Sequence, residues 1–163
     1  MNGGDEMAST MYGLTATTTC VGEAERPWVD SGGGTWTQLL RVSSSSGEWL
    51  IRNRFEPGYR APTHRHTGQV HAFTQAGHWR YEEYDFVAQP GSYVHEQAGV
   101  VHTLFIPEDN DDLVEVLFLV EGGNINFGPN GEYIGFTDGR SVLEHYLERC
   151  QVQGFGRPEG ILE

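Results

Sequence analysis

The segment "PTHRHTGQVHAF" places His64, His66 and His71 within eight residues of a chain that has seven histidines in all. Neutral imidazole is a ligand for zinc, copper, iron and nickel. His64 and His66 stand two apart. On a β-strand, residues two apart project to one face, so a strand here aims both rings at a single point. In a loop the same spacing carries no such meaning. His102, in "EQAGVVHTLF", follows a tight turn at Gly99 and opens another apolar run. The sequence thus offers a histidine pair and one distant histidine.

The elements that would position this site read as strands. "TWTQLLRV", "EWLIRNRF", "VHAFTQ", "HWRYEEYDFV", "SYVHEQA", "VHTLFI", "LVEVLFLVEG" and "EYIGF" are short, rich in β-branched and aromatic residues, and several alternate apolar with polar. Turn signals separate them, among them "SSSSG", "EPG", "AGH", "QPG", "EDNDD" and "GPNGE". Many short strands at even spacing predict a β-sandwich or barrel. One helix is expected near the end, in "GRSVLEHYLERCQVQ", where Val142, Leu143, Tyr146, Leu147 and Cys150 recur at three- and four-residue spacing. The expected organisation is a flexible N-terminus over 1–10, a β-domain over 11–138, and a helix with its tail over 139–163.

The chain's 163 residues suffice for one domain with its own core. Ten Lys and Arg against 23 Asp and Glu give a net charge of −13, which leaves no basic face for nucleic acid or an anionic membrane. Neither a signal peptide nor a membrane-spanning run is present, and the two cysteines, Cys20 and Cys150, form no paired motif. A cytoplasmic protein with two free thiols is expected.

Two motifs resemble those of the cupin superfamily. In the first, Gly58 is followed by five residues to His64 and His66, and Gly77 stands at the closing glycine. In the second, Gly91 is followed by five residues, then Gln97-Ala98-Gly99 and, two residues on, His102, with Ile106 where an Asn often falls. Gln97 replaces the usual Pro. Val70 stands where the first motif carries a ligating Glu. His71, one residue later, should face the other way unless a bulge re-aims it. Within the superfamily, the run from "HRHTG" to "HTL" resembles the 2,4'-dihydroxyacetophenone dioxygenase group, three-histidine iron enzymes that use dioxygen to cleave a carbon–carbon bond next to a ketone.

That resemblance implies an all-β cupin jelly-roll β-barrel with a short C-terminal helix. It also implies Fe(II) on His64, His66 and His102, with Zn, Ni, Mn or Cu as alternatives. The implied partners are a small chelating ketone and dioxygen, and cupins of this size commonly pair as homodimers. A site without a protein carboxylate keeps its full cationic charge and favours an anionic, bidentate substrate. Gln69, His71 and Glu96 are candidates to support a ligand or polarise the substrate. Trp49, Phe73, Tyr81, Phe105 and Phe118 are candidates for an apolar pocket. His71 equally reads as a ligand or as a packed or exposed residue, and Glu96 as a solvated strand residue. His78 and His95 read as surface residues, His145 as part of the helix, and "EDNDD" as a solvated turn. A redox-neutral isomerase, lyase or cyclase, and a non-enzymatic binding module, are the alternative functions.

Overall fold

A computed structural model describes residues 18–162, so the N-terminal segment expected to be flexible lies outside the described residues. The largest sheet has six strands in the order β1 (Val29–Gly32), β2 (Thr35–Val42), β3 (Glu48–Phe55), β10 (Val114–Glu121), β5 (Val70–Ala76) and β7 (Tyr93–Glu96). A four-stranded sheet runs β12 (Tyr133–Asp138), β11 (Gly123–Phe127), β4 (Thr63–His66) and β8 (Val101–His102). A third pair joins β6 (Arg80–Tyr81) to β9 (Leu104–Phe105). Every neighbouring strand pair is antiparallel.

The two sheets form the expected jelly roll, as a sandwich whose ladders do not close into a continuous barrel. The hydrogen-bonded ladders end at β1 and β7 in one sheet and at β12 and β8 in the other. Turns bridge the gap between them. Gly99 donates its amide to the carbonyl of His66 at 2.8 Å, and its φ of 89° suits a residue without a Cβ. Gly77 is constrained twice over. Its φ is 68°, and a Cβ there would meet Val114 Cγ2 at 2.6 Å.

Period-two burial explains why these segments are strands. Trp49, Ile51 and Phe55 of β3, Val70, Ala72 and Thr74 of β5, and Val114, Val116 and Val120 of β10 are buried. Their alternate neighbours face outward, as a half-covered antiparallel sheet requires. Two strands escape recognition in the sequence, β1 and β11, because "VDSG" and "GNINF" are poor in β-formers. The expected strand in "HWRYEEYDFV" shrinks to Arg80–Tyr81 and a bridge from Trp79 to Ala88. Beyond it the acidic side chains, not a ladder, hold the chain. Glu82 takes a bidentate pair from Arg60 at 2.8 Å, and Glu83 accepts the Thr103 amide at 2.9 Å.

The helix α1 (Gly139–Val152) starts at Asp138, whose Oδ1 accepts the Ser141 amide at 2.8 Å while Ser141 Oγ accepts the Asp138 amide at 2.9 Å. Tyr146 and Cys150 pack into a core with Val29, Leu39 and Ile161, and Tyr146 donates its hydroxyl to the Pro27 carbonyl at 2.7 Å. Cys20 is exposed, Cys150 is buried, and both are free. Among the described residues no helix is long and apolar enough to cross a membrane.

Candidate metal centre

Strand β4 carries His64 and His66 on one face, and β8 pairs His64 directly with His102. All three rings converge through Nε2. His64 and His66 Nε2 are 3.2 Å apart, and His66 and His102 Nε2 are 2.9 Å apart. Two ligands at right angles on a metal with bonds of about 2.1 Å stand about 3.0 Å apart. Both separations are those of neighbouring ligands on one metal, and all three histidines offer ligand atoms within 4.8 Å of one another. The rings cross at 72° to 88°, so each lone pair can point inward without the rings colliding.

A carboxylate stands beside two of the three histidines. Glu96 ends β7, is only 4% exposed, and places Oε2 2.9 Å from His66 Nε2 and 3.4 Å from His102 Nε2. Its other oxygen, Oε1, accepts the Tyr81 hydroxyl at 2.5 Å. Among the described residues Oε2 has no hydrogen-bond partner. A buried carboxylate oxygen without a hydrogen bond beside two ring nitrogens is costly, and a cation beside them would remove that cost. The residues present therefore fit a metal ion. His64, His66 and His102 form the histidine set able to hold it, with Glu96 within ligand reach.

Orientation comes from packing and one hydrogen bond. His64 Nδ1 lies 2.9 Å from the Pro62 carbonyl, which fixes its proton on Nδ1 and leaves Nε2 free as a ligand. His102 stacks on Tyr81 with ring centroids 3.6 Å apart and planes 9° from parallel. Burial, reinforced by His64 and His66, holds the His102 pKa down to about 2. Burial also lowers that of His64. Both rings are thus neutral and ligand-competent at physiological pH. The Tyr81 hydroxyl is pushed well above its usual value, by burial first and then by the Glu96 charge. It therefore stays protonated as a donor to Glu96.

His64, His66 and Glu96 open into an inner chamber of about 140 Å³. Its opposite wall is apolar, from Ile51, Phe55, Val70, Leu104, Phe118 and Val120. Trp49, Ile51, Asn53, Phe55 and Asn124 are shared with an outer chamber of about 450 Å³ that reaches Val142 and His145 of the helix.

The candidates named from sequence divide by strand parity. Trp49, Tyr81, Glu96 and Phe118 line the inner chamber. His71, Gln69, Phe73 and Phe105 do not. In the β5–β7 ladder Val70 faces Glu96 and His71 faces His95. Val70 and Glu96 turn inward, so His71 turns outward, where its Nδ1 meets the Tyr93 hydroxyl at 2.7 Å and its ring stacks on His95. No bulge intervenes there to re-aim it. Gln69 is held outside by Glu121 at 2.8 Å and His95 at 3.1 Å. Phe73 is 45% exposed, and Phe105 lies beneath the Arg80 guanidinium. His95 and His145 are exposed and His78 is half-buried. His78 pairs with Asp109. Asn53 and Asn124 were not legible as pocket residues. The usable signal was the register of "GNINF" against "THRH", which becomes visible only once β11 is known to be a strand.

The description of a protein-family model, the ChrR cupin-like domain, matches residues 17–122 of the chain. The chain is similar to an RmlC-like cupin from Ralstonia eutropha JMP134, at 25% identity and a TM-score of 0.83 over 90% of this chain and 95% of that one. A cupin-like protein of unknown function from the same organism is 28% identical, with a TM-score of 0.74 over 85% and 91% of the two chains. An acetylacetone dioxygenase from Acinetobacter johnsonii shares the fold at 18% identity and a TM-score of 0.68 over 83% and 94%. No curated protein matches the chain.

Proposed function

The chain belongs to the ChrR cupin-like domain family, and from that premise we propose that it is a mononuclear non-haem Fe(II) dioxygenase acting on a small chelating ketone. The substrate is an α-hydroxyketone or β-diketone, and the bond cleaved is the C–C bond next to a carbonyl. Both atoms of dioxygen enter the products, a carboxylic acid and a second carbonyl fragment. The observation that carries this reading is the convergence of three imidazoles and one carboxylate at the base of an apolar chamber. The likeness to an acetylacetone dioxygenase supports it at the level of fold.

A ferrous ion on His64, His66 and His102 would supply acidification of the bound ketone and activation of dioxygen. The protein's own groups supply the rest. Glu96 Oε2, free of hydrogen bonds, is the base that takes the proton from the carbon between or beside the chelating oxygens. Tyr81 occupies Oε1 through its hydroxyl and so leaves Oε2 as the free oxygen of this carboxylate. The apolar wall of Ile51, Phe118 and Val120 excludes water from the anionic substrate.

Glu96 also favours a second reading. A carboxylate base beside a metal suits redox-neutral enolisation, as in a metal-dependent isomerase, lyase or cyclase, with no oxygen consumed. Anaerobic loading with Fe(II), followed by oxygen-electrode assays on a panel of α-hydroxyketones and β-diketones, separates the two. Substrate-dependent oxygen uptake at one equivalent per product supports the dioxygenase. Solvent-deuterium exchange at the α-carbon without oxygen uptake supports the second reading. Binding with neither reaction points to a non-enzymatic metal- or small-molecule-binding cupin.

A further inference from the structure

The β4–β11 ladder sets Asn124 directly opposite His66 and Asn126 directly opposite His64. Cross-strand partners project to one face, with Cβ atoms about 5 Å apart. The wall that carries the histidines is therefore polar, and it faces the apolar wall of β3 and β10. Asn126 is anchored, since its Nδ2 donates to Thr137 Oγ1 at 3.0 Å. Asn53, on the facing sheet, donates to Thr37 Oγ1 at 3.1 Å. Asn124 differs from both. Its Oδ1 is shielded from solvent, and among the described residues nothing hydrogen-bonds it. Buried amide oxygens are nearly always paired, and a leucine of similar volume would fill this position without leaving a polar group unpaired. A side chain that is costly to the fold and lines the cavity beside a metal ligand is placed to serve a ligand.

The chamber's size indicates which ligand group reaches it. At about 140 Å³, the inner chamber approaches the roughly 150 Å³ cavity that takes up one benzene. It has room for a chelating head and one small substituent. Anything larger continues past Asn124 and Asn53 into the outer chamber, because both residues line both spaces. Asn53 and Asn124 are thus the polar side chains where the two spaces meet, and Asn53 is already engaged with Thr37 while Asn124 Oδ1 has no partner among the described residues.

We propose that Asn124 is a specificity-determining residue that hydrogen-bonds a hydroxyl on the substrate outside the chelating pair, and that the preferred substrate carries such a hydroxyl. This rests on the chelating-ketone reading above. The test needs no turnover. Zn(II)-loaded protein is titrated by calorimetry with acetylacetone and with its derivative hydroxylated on one methyl, in wild type, Asn124→Leu and Asn124→Ala. Wild type should bind the hydroxylated ligand about tenfold more tightly. Both variants should lose that preference, bind plain acetylacetone within about twofold of wild type, and melt no lower than wild type. An unchanged preference in the variants, or equal weakening of both ligands with a lowered melting temperature, would overturn the role of Asn124. Failure of wild type to bind either diketone would overturn the chelating-ketone reading itself, and this proposal with it.

Discussion

Val70 and Glu96 face each other across the β5–β7 ladder. Val70 holds the position at which the first cupin motif carries its carboxylate, and Glu96, on the adjacent strand, delivers a carboxylate to the same side of the sheet. Its Oε2 reaches within 2.9 Å of His66 Nε2. The acidic group missing from the motif is thus present in the site, moved by one strand. The consequence is mechanical as well as electrostatic. Glu96 is held through Oε1 by Tyr81, which also stacks on His102. One side chain therefore positions both a ligand and the carboxylate.

If Glu96 is the base, Glu96→Gln should lower turnover by about a hundredfold or more, while metal affinity falls by no more than about 10- to 100-fold. Competitive metal titration alongside steady-state assays at saturating metal separates the two effects. Equal loss in both would make Glu96 a ligand alone.

Tyr81→Phe removes the hydroxyl that donates to Glu96 Oε1 and leaves that buried carboxylate oxygen without this partner. The metal-free protein should lose about 1–3 kcal/mol of stability in denaturant unfolding. The ring stack on His102 survives, so the metal-loaded form should still assemble. A variant as stable as wild type would show that this hydrogen bond contributes nothing net.

Acid should destabilise the metal-free protein earlier than carboxylate protonation alone would. His102 and His64 have folded pKa values below the unfolded value of about 6.5, chiefly through burial. Below that pH the unfolded chain binds more protons than the folded one, so stability falls as pH falls. Their contribution is intact above about pH 6.5 and is lost progressively as the pH drops toward the folded value of about 2 for His102. Thermal melts of metal-free protein between neutral pH and pH ~5 should shift downward, and less steeply in His102→Gln. A flat profile would contradict this.

The outer-face residues give the opposite expectation. His71, Gln69 and Phe73 project from the far side of the sheet that carries Glu96. His71→Ala should leave metal content unchanged and activity within about twofold, since surface substitutions away from buried features are close to neutral. Loss of metal in this variant would mean that β5 adopts another register.

Parity explains both what was legible and what was not. The H-x-H pair was readable because a strand repeats every two residues, and His102 because a glycine turn precedes it. β2 and β3 match "TWTQLLRV" and "EWLIRNRF" residue for residue. Glu96 was ambiguous because its role depends on which strand pairs with β5, and no local pattern states that. β11 was missed because Asn and Gly are poor strand-formers. Its pairing with β4 decides the matter, a case of tertiary context overriding propensity. The open ends of the two sheets were likewise invisible to spacing, which predicts strands but not which edges meet.

His64, His66 and His102 are placed to hold one metal ion, with Glu96 beside it. The most direct test is anaerobic Fe(II) titration of untagged, metal-free protein, with metal content determined after desalting, for wild type and His64→Ala. Wild type should hold one ion tightly per chain, and the variant should lose it. Wild type that retains no metal, or a variant that retains as much as wild type, would contradict it.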